Sequence, residues 1–380
     1  MRRLARILPL LVALAAAPQA ARAVDEVLLP ALREEIVPVR KTSTFGVELQ
    51  TTYFRPAGDG PFPWVVINHG KASGDPRFQA RARYLLVARE LVQRGWAVVV
   101  PMRQGFGKSG GVYLDAGCNV HSNGLAQADD VREVIAAYAR RPELDPQRVM
   151  VWGQSHGGWT TLATGSLGLS GVRGLVSFAG GLKQSSCLNW EGELAAAVGR
   201  YGAATAVPAL FFYGDNDSFW PEPLWRDMVQ RYNAAGGKAR VVAYGSFGKD
   251  AHDMFGSSAG LPIWLPEVER FVRELGLPFD KRQTIALFQH AVPPPPASGF
   301  APVADVAAVP LLREAGRVGY AKYLDGTPPK AFAIGPQGQW FWRSDRAEAM
   351  TQALAECQRL SKDQPCRLYA VDDQVVWTKD

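Results

Sequence analysis

The chain has 380 residues, of which 47% are hydrophobic and 21% charged, with a net charge of +6 and 4 cysteines. That composition fits a folded globular protein with room for one large domain and a small one. The positive charge is concentrated at the start, in Arg2, Arg3, Arg6 and Arg22; no Lys/Arg-rich run follows, so nucleic-acid binding is excluded as a reading.

Arg2, Arg3 and Arg6 precede an apolar segment, Ile7 to Ala17, that is too short to span a bilayer, and Ala21-Arg22-Ala23 supplies a small-x-small cleavage pattern. Residues 1–23 therefore read as a secretory signal peptide. The mature chain, from about Val24, is expected in the periplasm or outside the cell, free of the membrane after cleavage. In that oxidising setting the cysteines are expected to pair. Cys118 with Cys187 and Cys357 with Cys366 is the favoured connectivity, because the second pair closes a short loop and each pair stays within one domain. Zinc fits less well, since no histidine lies near Cys357 or Cys366. Neither a metal nor an organic cofactor is expected.

Two strand-like stretches, Ile36 to Arg40 and Val47 to Phe54, predict a hairpin around Phe45-Gly46. The run Pro63 to Ile67 is apolar throughout, as in a parallel strand buried on both faces, and it exits through Asn68-His69-Gly70. Tyr84, Leu85, Ala88, Leu91 and Val92 recur at helical spacing before Gly95, and Ala97 to Pro101 is the next buried strand. A long loop is expected from Met102 to Asn123. Its Gly105, Gly107 and Gly110 have dinucleotide-site spacing, but no apolar helix period follows, and Met102 stands where a P-loop needs glycine. A helix through Leu125, Ala128, Val131, Ile135 and Tyr138 comes next, then a turn at Asp145-Pro146-Gln147-Arg148. Beyond it the pattern predicts a strand to Trp152, a helix over 157–167, a strand over 175–179 and an irregular stretch over 180–205. A strand over 209–213, a helix over 221–235, a strand over 239–244 and a helix over 266–275 complete the alternation. Such repetition builds a mostly parallel sheet covered by helices on both faces.

Val149-Met150-Val151-Trp152-Gly153-Gln154-Ser155-His156-Gly157-Gly158 carries the chemistry. An apolar strand that enters a helix through Gly-x-Ser-x-Gly forces the serine onto a sharp turn, with the first helix amides aimed at the space above it. Ser155 is the candidate nucleophile, and the N–H of His156 is one candidate donor to an oxyanion. A serine needs a base. Of five histidines, His156 follows the nucleophile, His69 ends a strand, His121 lies in a loop with Cys118, and His290 abuts a proline run, which leaves His252. The acid that orients it is expected at Asp217 rather than Asp215, because the chain must first turn after its strand, so Asp215 is left to cap that turn. Asp250 and Asp253 stand too near His252 in sequence and read as solvated loop residues. His69-Gly70 is either a plain strand exit or the opening of a loop whose Lys71 N–H supplies the second oxyanion donor. Among nearby aromatics, Trp190 and Trp220 are the candidate pocket walls, with Trp190 in a small lid pinned to the Cys118 loop through Cys187.

In this order, His69-Gly70, Asp145-Pro146-Gln147-Arg148-Val149, Gly153-Gln154-Ser155-His156-Gly157-Gly158, Gly214-Asp215-Asn216-Asp217 and His252 resemble the dienelactone hydrolase and prolyl-oligopeptidase-like branch of the α/β-hydrolase superfamily. The resemblance covers about residues 34–280 and implies an α/β-hydrolase fold, a Ser155, Asp217, His252 triad and hydrolysis of a small-molecule ester, or less often of an amide or peptide. Dienelactone hydrolases carry a cysteine nucleophile, so dienelactone is not the expected substrate. Peptidases of the branch carry a large propeller before the hydrolase, for which Val24 to Glu35 leaves no room; esterase is the expectation. The rival of another class is a binding protein on a silent hydrolase scaffold.

The hydrolase domain is thus expected over 24–289, a Pro-rich linker over 290–302 and a small α+β domain of unknown role and partner over 303–380. In the last, 310–322 and 346–360 read as helices, and 331–334, 340–342, 366–371 and 374–377 as strands. A Cys357–Cys366 clasp suits so small a unit.

Overall fold

A computed structural model describes residues 27–362 and 364–378. The expected signal peptide, residues 1–23, and the expected start at Val24 lie outside the described residues. In chain order the first part runs β1 (Glu35–Arg40), β2 (Glu48–Phe54), β3 (Phe62–Asn68), α1 (Leu85–Val92), β4 (Ala97–Pro101), α2 (Val120–Tyr138), β5 (Leu144–Gln154) and α3 (His156–Gly165). It continues through β6 (Val172–Phe178), α4 (Trp190–Ala204), β7 (Pro208–Tyr213), α5 (Glu222–Ala234), β8 (Lys238–Ala243) and α6 (Leu261–Glu274). The strands form an eight-stranded sheet in the order β1-β2-β4-β3-β5-β6-β7-β8. β1, β2 and β4 pair antiparallel and the rest are parallel.

Alternation along the central strands splits the core in two. Trp64 and Val66 of β3 face one side, where they join Val131 and Ile135 of α2, Leu162 of α3, Val198 of α4 and Met228 of α5. Val65 and Ile67 face the other, against Val87 and Leu91 of α1 and Trp264, Val268 and Phe271 of α6. Both faces are covered, so the parallel strands read as continuous apolar runs.

The structure departs from the sequence expectation at three helices. The stretch 180–205, expected to be irregular, contains the 15-residue α4. Its glycines conceal it: Gly202 packs where any side chain would overlap the backbone of Tyr232 on α5. α2 begins five residues before Leu125, at Val120, because the Asn119 side chain accepts from Ser122 N at 3.0 Å and caps it. α6 begins at Leu261, five residues before the expected start at Pro266, which lies inside the helix.

At the start of the sheet, the Glu34 carboxylate is fully buried between Arg81 (2.9 Å) and Arg83, and it accepts from Leu29 N at 2.8 Å. Burial pushes this carboxyl up, but the bonds from Arg83, Leu29 and Arg81 outweigh it and hold it below its ordinary 4.5. A depressed folded value stabilises the protein above the unfolded value and is lost as pH falls through the folded one. Glu34→Gln is therefore expected to destabilise the protein by about 3 kcal/mol at pH 7, since it leaves buried cations short of charge. In urea titrations the gap to wild type should narrow steadily below pH 4.5; a gap that is constant with pH would contradict this account.

The C-terminal part comprises α7 (Glu314–Leu324), β9 (Ala331–Ile334), β10 (Trp340–Arg343), α8 (Ala349–Leu360), β11 (Arg367–Val371) and β12 (Gln374–Val375). Its four strands pair antiparallel in the order β10-β9-β11-β12. Phe332 and Ile334 face Tyr320 and Tyr323 of α7, while Ala331 and Ala333 face Met350, Ala353 and Cys357 of α8. The Pro-rich stretch lies against this unit, with Ser298 N donating to Val375 O at 2.9 Å. Arg89 of α1 to Asp345 (2.7 Å) ties it to the large sheet's body, and His290 to Asp372 (2.9 Å) ties it to the start of the Pro-rich stretch. No helix among the described residues is long and apolar enough to cross a membrane.

Candidate active site

β5 enters α3 through Ser155, whose backbone is held at φ 57 and ψ −125, a conformation rare for any residue but glycine. Three hydrogen bonds hold it there: Ser155 N donates to Phe178 O (2.9 Å), and Ser155 O accepts from Trp159 N (3.0 Å) and Gly181 N (3.1 Å). A side chain at Gly157 would overlap the Asn68 carbonyl, so α3 can pack this closely on β3 only with glycine there. The Ser155 hydroxyl makes no hydrogen bond among the described residues.

The loop after β3 borders that hydroxyl. A methyl at Gly70 would stand 3.4 Å from Ser155 Cβ and 3.9 Å from its Oγ, and glycine leaves this space open. Among the described residues neither Lys71 N nor His156 N donates within the protein, so both amides are free to meet a ligand oxygen.

Asp217 and His252 leave β7 and β8 at the same edge of the sheet. His252 Nδ1 lies 3.0 Å from Asp217 Oδ2 and 3.2 Å from Oδ1. Asp217 is buried, and its Oδ1 also accepts from Phe219 N (2.8 Å) and Trp220 N (3.1 Å), so the carboxylate is fixed before it meets the ring. Asp215 is exposed, its N–H bonded to Gly245 O in the turn. The histidine loop is anchored twice more. Gln154 Nε2, one residue before the serine, donates to His252 O at 2.8 Å. Asp250 accepts from His252 N (2.9 Å), Ser218 N (3.1 Å) and Ser218 Oγ (2.6 Å). Burial pushes the Asp250 carboxyl up, but those bonds hold it below its ordinary value, so it braces the two loops where sequence reading saw a solvated residue.

The other histidines are engaged elsewhere. His69 and His156 are buried, and burial followed by the Arg103 charge pushes both imidazoles well below their ordinary value, so they are neutral at neutral pH. His121 stacks on Tyr201 at 4.9 Å, and His290 pairs with Asp372.

Trp220 is buried, donates to Ala179 O at 2.7 Å, and has its ring 6.3 Å from that of His252. Trp190 stands behind it, 6.1 Å from Trp220. Phe219, which its place after a strand would assign to the core, is the exposed ring beside His252, at 4.6 Å and 42% exposure. Cys118 is bonded to Cys187 and Cys357 to Cys366. The first bond joins the loop after β4 to the segment before α4, and Gln184 of that segment bonds Asp115 and, at 3.2 Å, Gly117 O. Among the described residues no cluster of His, Cys, Asp and Glu is arranged to hold a metal ion.

With this geometry in place, similarity to known proteins is informative. The family of X-Pro dipeptidyl-peptidases (S15 family) matches residues 46–217. The quorum-quenching protein AidA of Acinetobacter baumannii is 30% identical over 148 residues, which is 38% of this chain and 44% of that protein. The chain thus spans less than half the length of the curated relative it matches. Among solved structures, Pyrococcus horikoshii acylaminoacyl peptidase superposes with a TM-score of 0.50 at 15% identity, covering 63% of this chain and 41% of that one. A putative dienelactone hydrolase from Klebsiella pneumoniae gives a TM-score of 0.46 at 18% identity over 64% of this chain and 98% of its own. Sheet order and the superposition on the acylaminoacyl peptidase show that the chain has the α/β-hydrolase fold, with Ser155 at the strained turn between β5 and α3, and residues 46–217 are similar to the S15 family.

Proposed function

We propose that the protein is an exported serine hydrolase that cleaves a carboxylic ester through an acyl-enzyme. The observation that carries this reading is the Asp217–His252 pair, 3.0 Å apart, tied by Gln154 to the serine at the turn. His252 takes the Ser155 proton at Nε2 as the oxygen attacks the carbonyl carbon, and Asp217 stabilises the imidazolium. Lys71 N–H and His156 N–H receive the oxygen as it becomes negative. His252 then hands its proton to the departing alcohol, and water repeats the sequence on the acyl group. Export is supported by the N-terminal pattern and by two disulfides, which persist in oxidising compartments.

An ester asks least of these groups, because an alkoxide leaves more readily than an amide nitrogen, which must be protonated first. The second reading, a peptidase acting at proline, is favoured by the family match over residues 46–217. Purified mature protein should be compared on short p-nitrophenyl esters and on aminoacyl and Xaa-Pro anilides. We expect ester kcat/KM to exceed anilide kcat/KM by at least about tenfold, a gap of ~1.4 kcal/mol; faster anilide cleavage would reverse the order of the two readings. A quorum signal belongs in the same panel, because the curated relative is a quorum-quenching protein.

A further inference from the structure

Arg103, two residues beyond β4, is fully buried. Its Nε donates to Gln127 Oε1 of α2 at 2.9 Å. Its Nη2 donates to the His69 carbonyl at 2.8 Å and to His156 Nδ1 at 3.2 Å. The Arg103 backbone N–H reaches His69 Nε2 at 3.3 Å, and the guanidinium lies 5.2 Å from the centre of the Phe106 ring. It forms no ion pair with a carboxylate among the described residues, and its Nη1 has no hydrogen-bond partner. A buried cation held on such terms is costly, and an apolar side chain of similar volume would fill the space at less cost.

The two acceptors of Nη2 explain what the charge does there. The His69 carbonyl opens the loop that carries Lys71 N–H, and the His156 ring belongs to the residue whose own N–H is the other candidate donor. His156 accepts from Arg103 at Nδ1, and its Nε2 bonds Asn123 Oδ1 at 2.9 Å, so the imidazole is neutral and locked in one tautomer. One guanidinium nitrogen thus bonds both the strand exit that leads to Lys71 and the side chain of the residue after Ser155.

We propose that Arg103 is a positioning residue of the oxyanion hole: it fixes the separation of Lys71 N–H and His156 N–H so that both reach the negatively charged oxygen. The proposal rests on the serine-hydrolase reading above. Arg103 touches neither substrate nor nucleophile and acts through the two histidines.

The test compares Arg103→Met and Arg103→Lys with wild type on a p-nitrophenyl ester and on its thiono counterpart, whose sulfur accepts hydrogen bonds more weakly than oxygen. Misplaced donors cost the oxygen ester more than the sulfur ester, whereas a displaced serine or histidine costs both alike. For Arg103→Met we expect kcat on the oxygen ester to fall about a hundredfold, KM to stay within about threefold, and the oxygen-to-sulfur kcat ratio to shrink about tenfold. Arg103→Lys keeps the charge but loses the planar fork, so it should show a smaller loss with the same signature. If Arg103→Met does not fold, the lysine variant decides. Parallel losses on both esters, or unchanged kcat, in a variant of an active wild type would overturn the proposal alone. A wild type that turns over neither ester and takes no fluorophosphonate label would remove the hydrolase reading and this proposal together.

Discussion

Replacing Ser155 by alanine is expected to lower kcat on a p-nitrophenyl ester by about a millionfold and to abolish labelling by a fluorophosphonate, leaving only the residual catalysis of an oxyanion hole without its nucleophile. The loss should be chemical and not structural. The hydroxyl makes no hydrogen bond among the described residues, and the bonds that hold the turn all involve backbone atoms of residue 155. Alanine keeps the same Cβ in the same φ 57 conformation, so stability should stay within about 0.5 kcal/mol of wild type. A wild type that the probe leaves unlabelled, under conditions in which it is folded, would instead identify a binding protein on a hydrolase scaffold.

Asp217→Asn is expected to cost about ten-thousandfold in kcat while leaving the fold intact. The reason lies in which oxygen does what. Oδ1 accepts from Phe219 N and Trp220 N, so an asparagine would keep its carbonyl oxygen on that side and turn its NH2 toward His252 Nδ1, at the position now 3.0 Å away. Two donors would then face each other unless the imidazole moved its proton to Nε2. That tautomer cannot take a proton from Ser155. Asp215→Asn, at an exposed turn position, should stay within about threefold of wild type. Steady-state kcat for the two variants checks the assignment, and equal losses at both positions would undo it.

The parts of this arrangement that were legible in the sequence share one property: the residue type and its neighbours in the chain are enough to define them. Val149 to Trp152 followed by Gly-x-Ser-x-Gly specifies a strand, a turn and a helix without help from the rest of the fold. Asp217 was preferred to Asp215 by the same local logic, since a chain leaving a strand must turn before its side chain can face sideways. What escaped depends on residues far away in sequence. Arg103 sits in a glycine-rich loop and would ordinarily be assigned to solvent, because nothing local announces that His69, Gln127 and His156 converge on it. Gln154 reads as filler within the serine motif until its amide is seen on His252 O.

Glycines inside two helices share one physical reason. Gly316 and Gly319 lie in α7, which is a helix as expected, and Gly202 lies in α4, which was not expected. Each is a packing residue: at Gly319 any side chain would run into the Trp340 ring, and at Gly202 into the backbone of Tyr232. Helix propensity counts such glycines as losses, but close approach of a neighbouring ring or chain repays them. Phe219 escaped differently. An aromatic after a strand is usually core, and only its neighbour Trp220 turned inward.

The link between Cys118 and Cys187 has a practical corollary for anyone producing this protein. It crosses from the chain ahead of α2 to the chain ahead of α4, beside the Asp115–Gln184 contact. Material expressed in a reducing bacterial cytosol and material recovered from an oxidising host would differ in their thiol titre, and so in how firmly those two segments are held together. Turnover numbers from the two sources describe two different preparations and should be compared only once free sulfhydryls have been counted.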